Sequence, residues 1–194
     1  MAEQAKQKLI LASRSPRRKE LLEKAGYQIE VVPPLGDETP PEGKTDPHEI
    51  ATALALRKAR SVHIRRSDGL ILGADTVTVL KGEIIGKPQN DEEAKEMLQK
   101  LAGTKHVVIT AVCLINGSTG AAVCGSEETA VEMKKMADSE IEEYVASGES
   151  MGASGAYKIQ ETGDKFVEDL EGSFSNVVGL PLELVEELLK RIKS

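Results

Sequence analysis

Residues 8–18 read Lys8-Leu9-Ile10-Leu11-Ala12-Ser13-Arg14-Ser15-Pro16-Arg17-Arg18. The segment Lys8 to Ala12 is a short apolar run, the pattern of a buried strand. A helix is predicted at once behind it. Ser15 can cap it and Pro16 suits its first position, while Leu21, Leu22 and Ala25 make its inner face and Gly26 stops it. The chain therefore opens as strand, tight turn and helix. That unit directs the reading of everything downstream toward the α/β class.

Working outward, Gln28 to Val32 reads as a second strand, and the proline- and acid-rich stretch from Pro33 to Thr45 as a loop. Asp46-Pro47-His48-Glu49 is a capping box that opens a helix to about Arg65. Gly69 to Leu72 is a strand, with Gly73-Ala74-Asp75-Thr76 at its end. Val77 to Leu80 and Glu83 to Ile85 flank Lys81-Gly82, a two-residue hairpin signal. Asn90 to Leu101 is a helix stopped by Gly103. Val107 to Ile115 is a strand, with Ala121 to Cys124 and Thr129 to Met133 as antiparallel neighbours. Asp138 to Val145 is helical, and Gly155 to Gln160 and Lys165 to Val167 are extended. Pro181 starts a last amphipathic helix that buries Leu184, Val185, Leu188, Leu189 and Ile192. Strands and helices mix without clean alternation, so the prediction is an α/β fold with a mixed, partly antiparallel sheet.

Composition limits the function classes. The 194 residues suit one large domain or two small lobes sharing a cleft. A net charge of −7 argues against a general nucleic-acid surface, which needs a basic excess. Aromatics at 3% with no Trp leave no stacking platform for single strands. Cys113 and Cys124 lack further ligands at metal spacing and read as ordinary thiols. No apolar run approaches membrane length and Met1 to Lys8 carries no apolar signal core, so the expectation is a cytoplasmic protein without a membrane partner.

Chemistry concentrates at a few points. Arg17 and Arg18 stand in the first turn of a helix, where the dipole disfavours cations. An anion held by Ser13, Ser15, free N–H groups and the guanidinium forks would explain them; a solvated basic turn is the other reading. On the first reading, removing Arg18 relieves the helix terminus and raises stability slightly. Asp75, at the exit of an apolar strand, can hold Mg²⁺ or orient water, or it is a turn aspartate with local hydrogen bonds. Lys58 falls on the apolar stripe of its helix and either snorkels outward or reaches a buried anion. Lys87 in Gly86-Lys87-Pro88 is a phosphate candidate or a plain surface lysine. Asp37 and Glu38 are loop carboxylates, either metal ligands or solvated charge. Gln160 can read a base edge, since its amide both donates and accepts. His48 and His106 read as structural, and Asn176 with Gly179-Leu180-Pro181 as loop and cap. Together these residues fit phosphoryl chemistry with a divalent metal.

Six segments in order resemble one family: Ser13-Arg14-Ser15-Pro16-Arg17-Arg18, Gly73-Ala74-Asp75-Thr76, Gly86-Lys87-Pro88, His106 to Ala111, Gly155-Ala156-Tyr157 with Ile159-Gln160, and Asn176 to Pro181. The chain resembles the Maf nucleoside triphosphate pyrophosphatases, also called septum formation inhibitors, from Leu9 to the last helix. The resemblance implies one domain over residues 1–194, an elongated mixed sheet with two lobes around a central cleft, related to the inosine-triphosphate pyrophosphatases. It implies hydrolysis of a nucleoside triphosphate to the monophosphate and pyrophosphate with Mg²⁺ or Mn²⁺, and suggests a homodimer. By matching position, Asp75 would be the catalytic acid or base and a metal ligand, and Glu38 would lie near the metal. Ser13, Ser15, Arg17, Arg18, Lys58 and Lys87 would hold the triphosphate.

Arg18, Thr76 and Gln160 match the trio of the branch resembling dTTP and UTP pyrophosphatases. The sister branch, resembling 7-methyl-GTP pyrophosphatases, differs there, and a nucleotide-binding regulator of division without turnover is the rival of another class. Two departures stand out. Where the family often reads Met-Asp-Lys-Ala-Gly-Ala-Tyr-Gly-Ile-Gln, residues 151–160 carry Gly152-Ala153-Ser154 in place of Asp-Lys-Ala, and Lys158 in place of the second glycine.

Overall fold

Strand β1 (Lys6–Ala12) is apolar on consecutive residues from Leu9 to Ala12 because that part is buried on both faces. In the computed structural model, which describes residues 6–36 and 39–192, β1 lies parallel to β2 (Tyr27–Val31) on one side and to β3 (Leu70–Leu80) on the other. Leu9 and Leu11 join Leu22 of helix α1 (Pro16–Lys24) in one cluster, and Ile10 and Ala12 join Ala59 and Val62 of helix α2 (Pro47–His63) in another.

The described strands form one seven-stranded sheet, in the order β2-β1-β3-β5-β6-β7 with β4 (Glu83–Ile85) beside β3. Its pairings are mixed: β1 is parallel to both neighbours, while β3–β4 and β6–β7 are antiparallel. The remaining elements are helix α3 (Asp91–Leu101), β5 (Lys105–Asn116), β6 (Ala122–Met133), helix α4 (Asp138–Ala146), β7 (Val167–Glu171), and helices α5 (Phe174–Val178) and α6 (Leu182–Arg191). The predicted mixed α/β class is what the structure has. No helix among the described residues is long and apolar enough to cross a membrane.

The chain divides into two compact units. The first comprises Met1–Asp75, Thr110–Glu127 and Gly179–Ser194, and the second Thr76–Ile109 and Glu128–Val178. The first is layered: α6 buries Leu184, Val185, Leu188 and Leu189 on the sheet face that α1 also covers, and α2 lies on the other face.

Several local expectations change. β3 does not end at Gly73; it runs on through Asp75 to Leu80, so Asp75 stands inside a strand. β6 is one strand of twelve residues rather than two, because ladder partners hold Gly125 to Glu128 extended despite weak intrinsic preference. Gly155 to Gln160 is not extended. Ser154–Ala156 is a 3-10 turn with left-handed Gly155 (φ 73°) and Ala156 (φ 61°). Lys165 and Phe166 complete a second 3-10 turn, Thr162–Phe166, before β7. The short helix α5 hides in β-branched Val177 and Val178; Ser173 Oγ caps it by accepting from Asn176 N at 3.3 Å. At the start of α2, Asp46 accepts from His48 N, while the Glu49 carboxylate takes the Lys44 ammonium instead of completing a box. The Lys81-Gly82 turn is as expected, both residues left-handed (φ 51° and 86°).

The two cysteines are a disulfide, not separate thiols. The turn after β5 sets Asn116 N on Ala121 O, and the same register three residues back puts Cys113 opposite Cys124, with Cα atoms 4.2 Å apart. Sequence spacing could not show that pairing because it depends on which residues oppose one another across the ladder.

In the second unit, His106 is structural, as read. It is 1% exposed, and its Nε2 lies 2.9 Å from the Tyr157 hydroxyl. Burial pushes its pKa down to about 4. Between pH 6.5 and 4 the unfolded chain therefore takes a proton that folded His106 refuses. This contribution to stability is complete above pH 6.5 and is lost as pH falls toward 4, about 3 kcal/mol in all. In urea unfolding, the stability difference between wild type and His106→Gln is expected to shift by that amount in the variant's favour from pH 7 to pH 4. A difference independent of pH would mean that His106 charges freely in the folded chain.

Candidate active site

The parallel register of β1 on β3 pairs Ala12 with Gly73, so the turn Ser13–Ser15 leaves β1 alongside Ala74 and Asp75. Ends of parallel strands are where α/β folds collect ligands. Ser13 Oγ accepts from Ser15 N at 3.1 Å, and Ser15 Oγ caps α1 by accepting from Arg18 N at 3.4 Å. Two serine hydroxyls and the first turn of α1 are thus gathered at one point. Arg17 is half-buried on that turn.

Arg18 differs from expectation. It is 8% exposed, and its guanidinium donates to Gly179 O at 2.8 Å, Ala74 O at 2.9 Å and Ser13 Oγ at 3.4 Å. The cation at the helix terminus is compensated by the protein's own oxygens. It ties α1 to β3 and to the segment before α6.

Asp75 and Lys58 meet. Residues 71, 73 and 75 of β3 alternate onto the face covered by α2. Gly73 lets that helix lie against the strand: a Cβ there would stand 2.3 Å from Ala55 O and 2.8 Å from Ala59 N. This close approach carries Lys58 Nζ to 2.6 Å from Asp75 Oδ1, with both residues buried. Of the two readings open for Lys58, the buried anion holds, and the anion is Asp75.

The other candidates belong to the second unit or lie outside the described residues. Thr76 is half-buried on β3, immediately after Asp75. Lys87 is exposed, and its carbonyl accepts from Gln89 Nε2 at 3.2 Å. Gln160 is exposed, with its amide nitrogen 3.4 Å from Glu161 Oε1. Asp37 and Glu38 lie outside the described residues. Among those described, no three His, Cys, Asp or Glu side chains group as a metal site.

The family profile of Maf-like proteins matches residues 8–192. The chain belongs to the Maf-like protein family. It is 44% identical over 183 residues to a dTTP/UTP pyrophosphatase of Pelotomaculum thermopropionicum, covering 94% of this chain and 95% of that protein. It is 42% identical over 188 residues to a dTTP/UTP pyrophosphatase of Bdellovibrio bacteriovorus, covering 94% and 97%. A crystal structure of a nucleoside-triphosphatase / dITP/XTP pyrophosphatase from Mycobacterium abscessus aligns with a TM-score of 0.46 at 13% identity, over 95% of this chain and 94% of that one.

The departures in this Maf-like chain have visible consequences. Ser154 Oγ accepts from Thr78 N at 2.9 Å and donates to Ile85 O at 3.0 Å, and Gly155 N donates to Gly86 O at 3.0 Å. The 3-10 turn is thereby tied to β3, to β4 and to the segment holding Lys87. Lys158 is half-buried, with its ammonium 3.4 Å from Glu161 Oε2 and its N–H donating to the Tyr144 hydroxyl at 3.1 Å. Two groups escaped sequence reasoning. The carbonyls of Ala74 and Gly179 hold Arg18, and backbone acceptors leave no residue-type signal. Asn176 is fully buried and donates to Val108 O at 3.0 Å and Thr129 Oγ1 at 2.9 Å. It locks the second unit where loop-and-cap chemistry was expected.

Proposed function

We propose that this chain hydrolyses nucleoside triphosphates, dTTP and UTP foremost, to the monophosphate and pyrophosphate. The observation that carries the reading is a buried carboxylate, Asp75, with a buried lysine beside it, next to a serine- and arginine-bearing helix start. It stands in a chain 42–44% identical to dTTP/UTP pyrophosphatases over nearly its whole length. Ser13, Ser15, Arg17 and Arg18 hold phosphate oxygens, with Arg18 also bracing the turn and Lys58 adding charge. Asp75 accepts the proton of the attacking water. The water oxygen bonds to the α-phosphorus as the bond to pyrophosphate breaks.

A divalent cation fits this donor set. Mg²⁺ is commonly bound by one or two carboxylates and completed by substrate phosphates. Asp75 is the described carboxylate that would hold it, and the charge of the bound ion would stabilise the leaving pyrophosphate. Lys87, Thr76 and Gln160 enter as substrate residues on the family resemblance, phosphate for the first and base for the other two.

The test is kcat/KM for UTP, dTTP, CTP, GTP and 7-methyl-GTP with Mg²⁺, read as pyrophosphate released. dTTP and UTP are expected to lead, because an amide and a hydroxyl fixed in one orientation at the base would match the uracil and thymine edge. A wrong base leaves polar groups unpaired at about 1–3 kcal/mol each. Gln160→Ala is expected to shrink that preference more than it slows the best substrate. A flat profile, or 7-methyl-GTP on top, moves the chain out of this branch. Nucleotide binding with no pyrophosphate makes it a regulator.

A further inference from the structure

Asp75, the residue that would hold a divalent cation, already carries a countercharge. Lys58 Nζ sits 2.6 Å from its Oδ1, with side-chain exposures of 10% and 8%. The lysine is delivered there by the backbone: Ala55 and Ala59 of α2 press on Gly73 of β3, two residues from Asp75. A cation bonded to the same carboxylate oxygen would stand beside an ammonium in a poorly hydrated place, where like charges repel strongly.

We propose that Lys58 is a lock on the cation position. In the nucleotide-free chain it fills the place of the divalent ion at Asp75, so the protein does not take up the ion alone. The ion is accepted only with the nucleotide, whose phosphates draw the ammonium away and complete the coordination. This rests on the triphosphatase reading above and makes Lys58 a positioning residue that switches partner from carboxylate to phosphate.

The experiment is a titration of the nucleotide-free protein with Mn²⁺, following free Mn²⁺ by electron paramagnetic resonance. Wild type is expected to retain essentially no Mn²⁺ at millimolar concentration. Lys58→Gln is expected to bind at least about tenfold more tightly, and Lys58→Gln with Asp75→Asn to lose that gain. Equal affinity in wild type and Lys58→Gln, or a gain that survives Asp75→Asn, overturns the lock. Each variant is checked for folding by circular dichroism. Should Lys58→Gln unfold, wild type and Lys58→Arg carry the test: both keep the positive charge, so tight Mn²⁺ retention by either overturns the proposal and weak retention by both supports it. No nucleotide is present, so the two readings fail separately. A chain that releases pyrophosphate from dTTP yet binds Mn²⁺ tightly alone loses the lock only, and one that shows the lock yet releases no pyrophosphate loses the proposed reaction only.

Discussion

Asp75→Asn is expected to lower kcat by a hundredfold or more, because the amide keeps the shape of the side chain and loses both its charge and its basicity. The buried pair adds a second effect that sequence alone did not suggest. With Asp75 neutralised, the Lys58 ammonium stays buried opposite an amide, and removing one partner of a buried pair costs about 3–5 kcal/mol. The substitution is therefore expected to depress the denaturation midpoint as well as the rate, and kcat has to be measured on protein shown to be folded. Adding Lys58→Met to Asp75→Asn separates the two effects. The double variant is expected to recover much of the stability, since no uncompensated charge remains, and none of the activity. Full kcat in a folded Asp75→Asn protein removes Asp75 from the chemistry. A stability unchanged by Asp75→Asn shows that the pair contributes nothing to folding.

Arg18→Ala is expected to destabilise the protein by about 3–6 kcal/mol, the sum of two buried hydrogen bonds from a charged donor to Ala74 O and Gly179 O. The sign is opposite to what helix electrostatics alone predicts. In isolation, Arg18 is a cation at the positive end of α1, and its removal relieves that terminus by a few tenths of a kcal/mol. Two carbonyls left buried without a donor outweigh that relief several times over. Urea unfolding of wild type, Arg18→Ala and Arg18→Lys checks this: lysine keeps the charge but cannot reach several acceptors at once, so it is expected to recover only part of the loss. An Arg18→Ala protein as stable as wild type, with activity lost, would return Arg18 to the role of a phosphate ligand alone.

The local elements were legible wherever residue type imposes a conformation. Pro16 and Ser15 begin α1 where they should, Lys81-Gly82 makes its two-residue turn, and the apolar spacing of Leu184, Val185, Leu188 and Leu189 marks the buried face of α6. Periodicity and capping act within a few residues, so sequence carries them. The candidate site was legible as a set of residue types: hydroxyls and arginines at a helix start, an acid after small residues and a lysine on an apolar stripe.

What joins those types is not local. Asp75 lies inside β3 because the strand continues between Gly73, where its pairing with β1 ends, and Thr78, where its pairing with β4 begins, with β5 as its other neighbour, while the Gly73-Ala74 pair reads as a break. Lys58 finds Asp75 only because a missing side chain at Gly73 lets a helix lie on a strand eighteen residues further along the sequence from Ala55. The bonds that hold Arg18 could not be read from residue type, because its partners are main-chain carbonyls at positions 74 and 179, which any residue type would provide. The cysteine pair depends on ladder register, and the 3-10 turn at Ser154–Ala156 on hydroxyl bonds to two strands. Sequence by itself determined which groups are present and which short segments they shape. Tertiary structure decided which charges face each other, because burial and backbone register, not residue type, set the distances at which those charges act.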